Sequence, residues 1–410
     1  MASASATMSS RPRARYTAAG LRSDARPLHL SPVNWHNVAW LCVIAAVALS
    51  VLGILAIDTT RPALAVRQIA HLCVALVGAT AVALPHYRWV ERAILPLIIL
   101  GLGLLVFVLI PWVPDVIVSP RNGARRWINL GVTDFQPSEL AKIAYILGVA
   151  KYLRVKQNYR TFIGVLRPLA MSFVPMGLVL FEPNLGMTML FLPILFAMLI
   201  AAGAKVKHIL IIIALGSSMA PLSYAILLPH QRGRIDAMIA QVRGDPRHEQ
   251  DIGYQGARAM TLVGAGGMLG VGSEKAANLI KFNTLPEEHN DMVFAVIACR
   301  WGLLGAIVTW GLFGMFALGG LLTAGLCKDP FGRLVTVGII AALFAQMAIN
   351  TGMTIGLLPI TGLPLPLVSY GGSSMVATWL MVGLVFNIAL RRSKYLARQS
   401  FEFDNIATEE

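Results

Sequence analysis

The chain has 410 residues, of which 56% are hydrophobic and only 13% charged, where an ordinary soluble domain carries roughly 25% charged residues. Its apolar residues fall in runs of about 20, the length that crosses a bilayer as a helix, so a water-soluble globular protein is excluded. The 34 Lys and Arg against 20 Asp and Glu give a net charge of +14; in a membrane chain this first reports which side each loop faces, and nucleic-acid binding is set aside.

Residues 1–34 are rich in Ser, Ala, Arg and Pro and are predicted to be a disordered basic tail. The apolar run from Val38 to Ile57 is too long for the core of a signal peptide, so it is read as a retained first span. Hydropathy then gives ten candidate helices, at about 36–57, 66–85, 91–113, 137–154, 161–181, 184–203, 206–228, 291–324, 331–358 and 366–390. The expected fold class is an all-α polytopic membrane protein, with a membrane domain over 35–392, a large fourth external loop over 229–290 and a tail over 393–410. With the N-terminal tail inside, the inner loops carry Arg88 and Arg92, Lys151 to Arg160, Lys205 and Lys207, Lys328 and Arg333, and Arg391 to Arg398. Both termini are therefore expected on the cytoplasmic side and the number of spans is even, although the charge rule leaves eight, ten and twelve open. The cysteines Cys42, Cys73, Cys299 and Cys327 show no paired spacing, which supports neither a disulfide framework nor a zinc site.

Two external segments are basic against the rule. The first, 114–136, contains Arg121, Arg125, Arg126 and Trp127 with no acid between Asp115 and Asp134, and points to an anionic partner at the outer surface. The second, 229–290, carries Arg232, Arg234, Arg243, Arg247, Arg258, Lys275 and Lys281 among its acids. It is too long for a structureless connection and is expected to fold against the helix bundle. Its glycine-rich run 264–272 reads either as a phosphate cradle or as close helix packing.

Ionisable groups in or beside spans are costly and are functional candidates by default. They are Glu139, Lys142, Glu182, Asp291 and Arg300. Glu139 and Lys142 share a helix face three residues apart and are expected to pair. Asp291 sits at the outer mouth of the eighth span, where it could be a general base or a residue that merely complements the helix dipole; His289, Glu287 and Glu288 are alternative bases. The stretch from Asn350 to Ser374 carries Gly352, Gly356, Pro359, Gly362, Pro364, Pro366, Ser369, Tyr370, Gly371, Gly372 and Ser373. Such backbone cannot continue a lipid-facing helix and must be buried in protein or line a wet cavity, as binding sites in membrane proteins do.

That stretch resembles the signature of the SEDS family of shape, elongation, division and sporulation proteins. Three more segments agree in order: Asn122 to Ile128 with Phe135 to Lys142, Gly253-Tyr254-Gln255, and Leu285 to Ala295. The resemblance covers about 36–395, and the segment Pro359 to Pro366 looks more like the elongation-type branch, RodA, than the division-type branch, FtsW. It implies ten helices and a peptidoglycan glycosyltransferase in the bacterial cytoplasmic (inner) membrane, polymerising lipid II at its outer face. By resemblance Asp291 would activate the acceptor hydroxyl for an inverting displacement of a lipid diphosphate. Arg125, Arg126, Trp127, Arg234, Gln255, His289, Ser369, Tyr370 and Ser373 would bind substrate. A class B penicillin-binding transpeptidase would be the partner, on another chain. No cofactor or metal cluster is evident in the sequence, and a divalent cation on the diphosphate is compatible with the chemistry. The readings kept beside this one are a division-type glycosyltransferase, a lipid II flippase and a non-catalytic scaffold.

The chain departs from the family pattern at Glu182 and Asn184, where Gln and Asp are usual, and at Cys299-Arg300, where two glutamates are usual. An unpaired guanidinium beneath Asp291 would be costly, so Arg300 is expected to pair with Glu182 or Glu139 in a rewired polar network that includes Lys142.

Overall fold

The computed structural model describes residues 37–121, 124–131, 133–156, 158–219, 224, 229–243, 245 and 253–391. The tails predicted over 1–34 and 393–410, and Arg247, lie outside the described residues.

The described chain is mainly helical. The ten predicted helices have their counterparts in α1 (Trp40–Thr60), α2 (Pro62–Ala83), α3 (Tyr87–Leu109), α4 (Pro137–Val155), α5 (Phe162–Phe181), α6 (Leu185–Ala202), α7 (Val206–Ser218), α11 (Val293–Leu326), α12 (Pro330–Thr354) and α13 (Gly372–Leu390). Among the described residues eight of these are long and apolar enough to cross a membrane. The other two are α4, which carries Glu139, Lys142, Lys151 and Arg154, and α7, whose 13 described residues are short of a bilayer. Large apolar side chains such as Val66, Val77, Ile99 and Phe181 are exposed on the outside of the bundle, as lipid-facing helices require. The loop 229–290 contains α8 (Pro229–Val242), α9 (Tyr254–Gly266) and α10 (Ser273–Asn283), and α9 packs on α11 as expected.

Close approach of backbones holds this bundle together, since lipid supplies no hydrophobic drive between helices and small residues let their atoms meet. A Cβ on Gly53 of α1 would stand 2.2 Å from the Val368 carbonyl oxygen, and one on Gly383 of α13 would stand 2.5 Å from that of Ala79 in α2.

The same device decides the reading of the glycine-rich run. Helix α11 is broken at Gly302, which adopts φ 65° and ψ −157°. The break frees backbone groups within an apolar helix, and they must find partners. Residues 267–272 supply them: Val271 and Gly272 donate to the carbonyls of Cys299 and Arg300 at 3.0 and 3.2 Å, while Leu303 and Leu304 donate to those of Gly267 and Met268 at 2.9 and 3.2 Å. The run is a backbone splint on a broken helix, which supports the packing reading over the phosphate cradle. Gly270 has φ +81°, and a Cβ there would meet the Arg300 carbonyl oxygen at 2.2 Å. Gly270→Ala is therefore expected to cost about 3 kcal/mol from overpacking and left-handed backbone together, measured as a lowered Tm of the detergent-solubilised protein; an unchanged Tm would contradict the splint.

The segment expected as a loop over 114–136 forms a three-stranded antiparallel sheet of β1 (Val118–Arg121), β2 (Ala124–Asn129) and β3 (Asp134–Phe135). Ser119 pairs with Trp127 but Pro120 pairs with Arg125, so Arg126 is the extra residue of a bulge. A bulge re-aims side chains, and here it helps send neighbouring arginines to different targets.

Candidate functional site

Asp291 is placed by three layers of backbone. It precedes α11, whose cap position is Met292 and has no side-chain cap, so its carboxylate is not spent on the helix start. Asn350 of α12 donates to the carbonyls of Asp291 at 2.8 Å and Leu363 at 2.7 Å, joining the loop before α11 to the segment 355–371. Ser369 closes the same joint, donating to the Asn290 carbonyl at 2.5 Å and accepting from the Leu365 N–H at 2.7 Å. Gly362, with φ +70°, lies so close that a Cβ there would be 3.8 Å from Asp291 Oδ2.

The Asp291 side chain itself receives a long contact from Gln255 Nε2, 3.4 Å from Oδ1. Asp291 is 9% exposed. Burial first, and then the negative charge of Glu287, pushes its carboxyl up to about 7, against the opposing pull of its own backbone N–H, Arg234 and His289. A carboxyl that is half ionised near neutral pH at the rim of a membrane helix suits proton transfer.

One guanidinium group, Arg234, acts on it, and a second, Arg126, neighbours the first. Arg234 of α8 donates to the Ile360 carbonyl at 3.0 Å, and burial holds its pKa below the ordinary range while Asp291 opposes that shift. Arg126, re-aimed by the bulge, donates from Nε to the Glu182 carbonyl at 2.7 Å and from Nη2 to the Pro183 carbonyl. Burial and then the neighbouring Arg234 lower the Arg126 pKa, opposed by Glu182. Two cations crowded together and partly desolvated form a place where an anion is favoured. The Arg126 guanidinium also lies 6.0 Å from the centroid of the Trp127 ring. Arg125 points elsewhere, donating to the carbonyls of Pro111 at 3.0 Å and Val113 and approaching Asp115 at 3.7 Å. It ties the sheet to the end of α3 and is not brought to Asp291.

The remaining sequence candidates fall around this centre. His289 and Tyr370 meet edge to face at 5.7 Å, and the His71 ring of α2 also lies 5.7 Å from that of Tyr370. Ser373 accepts from the Gln136 N–H at 3.0 Å and so holds the start of α4 to α13. Glu288 is paired with Arg61 at 2.9 Å, and Glu287 is exposed and accepts from Asn290.

Glu139 and Lys142 pair as expected, Nζ to Oε2 at 2.8 Å, each side chain 1% exposed. Lys142 also donates to Gln346 Oε1 at 3.1 Å, and Gln346 passes the connection to the Pro364 carbonyl at 2.8 Å. The pair thus sits beneath the segment that walls Asp291.

The expected pairing of Arg300 is a correction. Arg300 meets neither Glu182 nor Glu139; it donates to the Leu55 carbonyl at 2.6 Å and to Thr59 Oγ1 at 2.7 Å, and its guanidinium lies 4.3 Å from the Trp301 ring centroid. The reason is positional: Arg300 occupies the turn before the Gly302 break and faces the C-terminal end of α1, where a helix presents partial negative charge. Of the other departures, Asn184 caps α6 by accepting from the Met187 N–H at 3.2 Å.

Gln68, His71, Arg61 and Gln346 were not singled out in the sequence. Gln68 donates to the Ser369 carbonyl at 2.9 Å and accepts from the Gly371 N–H at 3.2 Å. A signal was available for Gln346, because Gln346, Asn350 and Thr354 recur at i, i+4 on an apolar helix and so share one face. Among the described residues no three His, Cys, Asp or Glu side chains gather as metal ligands.

The family model of cell cycle proteins of the FtsW, RodA and SpoVE type matches residues 29–394. A probable peptidoglycan glycosyltransferase FtsW of Coxiella burnetii is 32% identical over 378 residues, covering 88% of this chain and 98% of that relative. Among solved structures, a chain from a peptidoglycan synthase complex, described for its structural coordination of polymerization and crosslinking, superposes with a TM-score of 0.73 at 29% identity, covering 87% of this chain and 98% of the other. The rod shape determining protein RodA of Thermus thermophilus superposes with a TM-score of 0.64 at 27% identity, covering 88% of this chain and all of that one.

Proposed function

This chain belongs to the FtsW, RodA and SpoVE family of multi-pass membrane proteins, and from that premise we propose that it is a peptidoglycan glycosyltransferase that polymerises lipid II at the outer face of the bacterial cytoplasmic membrane. The observation that carries the reading is one buried carboxylate, Asp291, facing the Arg234 guanidinium, which in turn neighbours the Arg126 guanidinium.

In this reading Asp291 accepts the proton of the acceptor sugar hydroxyl as its oxygen attacks the anomeric carbon of the donor. The new carbon–oxygen bond forms as the bond to the lipid diphosphate breaks, with inversion. The departing diphosphate takes the electron pair, and Arg126 and Arg234 are positioned to stabilise its growing charge. A divalent ion on the diphosphate is compatible with this scheme. In this reading the chain crosses the membrane ten times with both ends inside, which puts Asp291 at the outer face, and a class B penicillin-binding transpeptidase on a separate chain is the proposed partner.

The sign of the pH dependence follows from the base. Asp291 must be ionised to accept a proton, and its carboxyl sits at about 7. The rate constant kcat is expected to rise about tenfold per pH unit below that value and to level above it, measured by polymerisation of purified lipid II at saturating substrate. A kcat that is flat between about pH 5.5 and 8 would remove Asp291 from the proton transfer.

The segment Pro359 to Pro366 supports service in cell elongation. A division role is the second reading, favoured by the FtsW names of the curated relatives. Depleting the protein in its own host separates them: rounded or widened cells support elongation, and long undivided filaments support division.

A further inference from the structure

Glu182 ends α5 and opens the turn into α6. It is 1% exposed, and neither of its carboxylate oxygens has a hydrogen-bond partner among the described residues. Buried polar groups are normally satisfied, and an exception calls for an explanation. Packing gives none, because an isosteric Gln would fill the same volume without the burden of a carboxylate. The Glu182 backbone is what Arg126 holds, through the carbonyls of Glu182 and Pro183; the carboxyl lies within reach of the Arg126 charge but is not hydrogen-bonded to it.

The surroundings place this carboxyl at one end of a row of charged groups, with two cations between two carboxyls. Arg126 on β2 acts on Glu182, Arg234 on α8 acts on Arg126, and Asp291 acts on Arg234, with Glu287 and His289 beyond it. The row wraps the segment 360–363: Arg234 donates to the Ile360 carbonyl, a Cβ on Gly186 would meet Leu363 at 2.6 Å and Thr361 at 2.9 Å, and Asp291 lies against Gly362. Glu182 is thus the far end of the same site, behind one of its two cations.

Resting on the reading that Arg126 and Arg234 receive the lipid diphosphate, we propose that Glu182 is a proton-linked positioning residue for that diphosphate. With its carboxyl neutral, Arg126 presents its full charge to the anion. On losing its proton to solvent, Glu182 neutralises Arg126 in place and repels the incoming anion, so the ionised protein is the weak-binding form. Burial first, opposed by Arg126, pushes this carboxyl up to about 8, which leaves it mostly neutral at neutral pH and lets it act as a brake in alkali. An anion that binds only the neutral form has its Kd divided by the neutral fraction, and the Kd then rises tenfold per pH unit once ionisation is advanced.

The test is equilibrium binding of undecaprenyl diphosphate to the full-length protein in detergent between about pH 6 and 9.5, for wild type, Glu182→Gln and Glu182→Asp. The ligand's own titration and that of Asp291 are common to all three. Wild type is expected to lose affinity about tenfold per pH unit above about 8 relative to Glu182→Gln, and Glu182→Asp to regain a pH dependence that a merely structural role would not restore. Identical pH profiles for wild type and Glu182→Gln would overturn the proposal while leaving the diphosphate site intact. Absence of binding at every pH would overturn the assignment of the diphosphate to Arg126 and Arg234, and this inference with it.

Discussion

Asp291→Asn is expected to lower kcat for glycan polymerisation by about 10²- to 10⁴-fold, the range that a positioned general base contributes. Asn has nearly the shape of Asp, so the joint made by Asn350 and Ser369, which grips only the backbone of Asp291 and Asn290, is left intact. The charge is what disappears. Because Asp291 acts on Arg234, its removal leaves that guanidinium with more of its charge for an anionic donor, and KM is expected to stay level or fall. A fall in kcat with no rise in KM is the signature of an interaction made only in the transition state. A raised KM with kcat unchanged would make Asp291 a binding residue and would move the search for the base to His289.

Lys142→Met is expected to destabilise the protein by about 3–5 kcal/mol, because it leaves the Glu139 carboxylate buried without its cation. Neither Glu139 oxygen has a hydrogen-bond partner among the described residues, so the 2.8 Å ion contact with Lys142 is its compensation. Gln346 would lose a partner as well, and through it the hold on the Pro364 carbonyl would loosen. The double variant Glu139→Gln with Lys142→Met removes both charges and is expected to recover most of the loss, as buried pairs do when replaced together. Thermal unfolding in detergent measures both variants. If the single variant unfolds at the wild-type temperature, the pair carries no stability and its place beneath the active segment needs another cause.

The helices were legible because lipid imposes one rule over many residues: apolar runs of bilayer length, with basic loops on one side. Glu139 and Lys142 were legible as a pair because i, i+3 spacing alone puts them on one face. What the sequence hid is tertiary or lies in short elements. The sheet over 118–135 has one signal in the sequence, the dipeptide Asn122-Gly123 between two short runs, which is typical of a hairpin; the arginines around it carry the stronger signal of charge. The break at Gly302 leaves no mark in Trp301-Gly302-Leu303, since glycine is common within membrane helices. On an unbroken helix Arg300 would lie beneath Asp291, so its partners Leu55 and Thr59 on α1 leave no signal in the sequence. Gln68 and Gln346 carry no signal of charge, since neutral amides hydrogen-bond backbone at no charge cost.

The most direct measurement of the central claim uses vesicles containing lipid II and the full-length protein with its cognate transpeptidase, the transpeptidase active site blocked. Both glycan polymer and lipid II translocation are scored, for wild type and for Asp291→Asn. The account predicts polymer from wild type and its loss in a normally folded Asp291→Asn protein. Translocation of lipid II by both proteins, with polymer from neither, would contradict it and make this chain a carrier of its substrate.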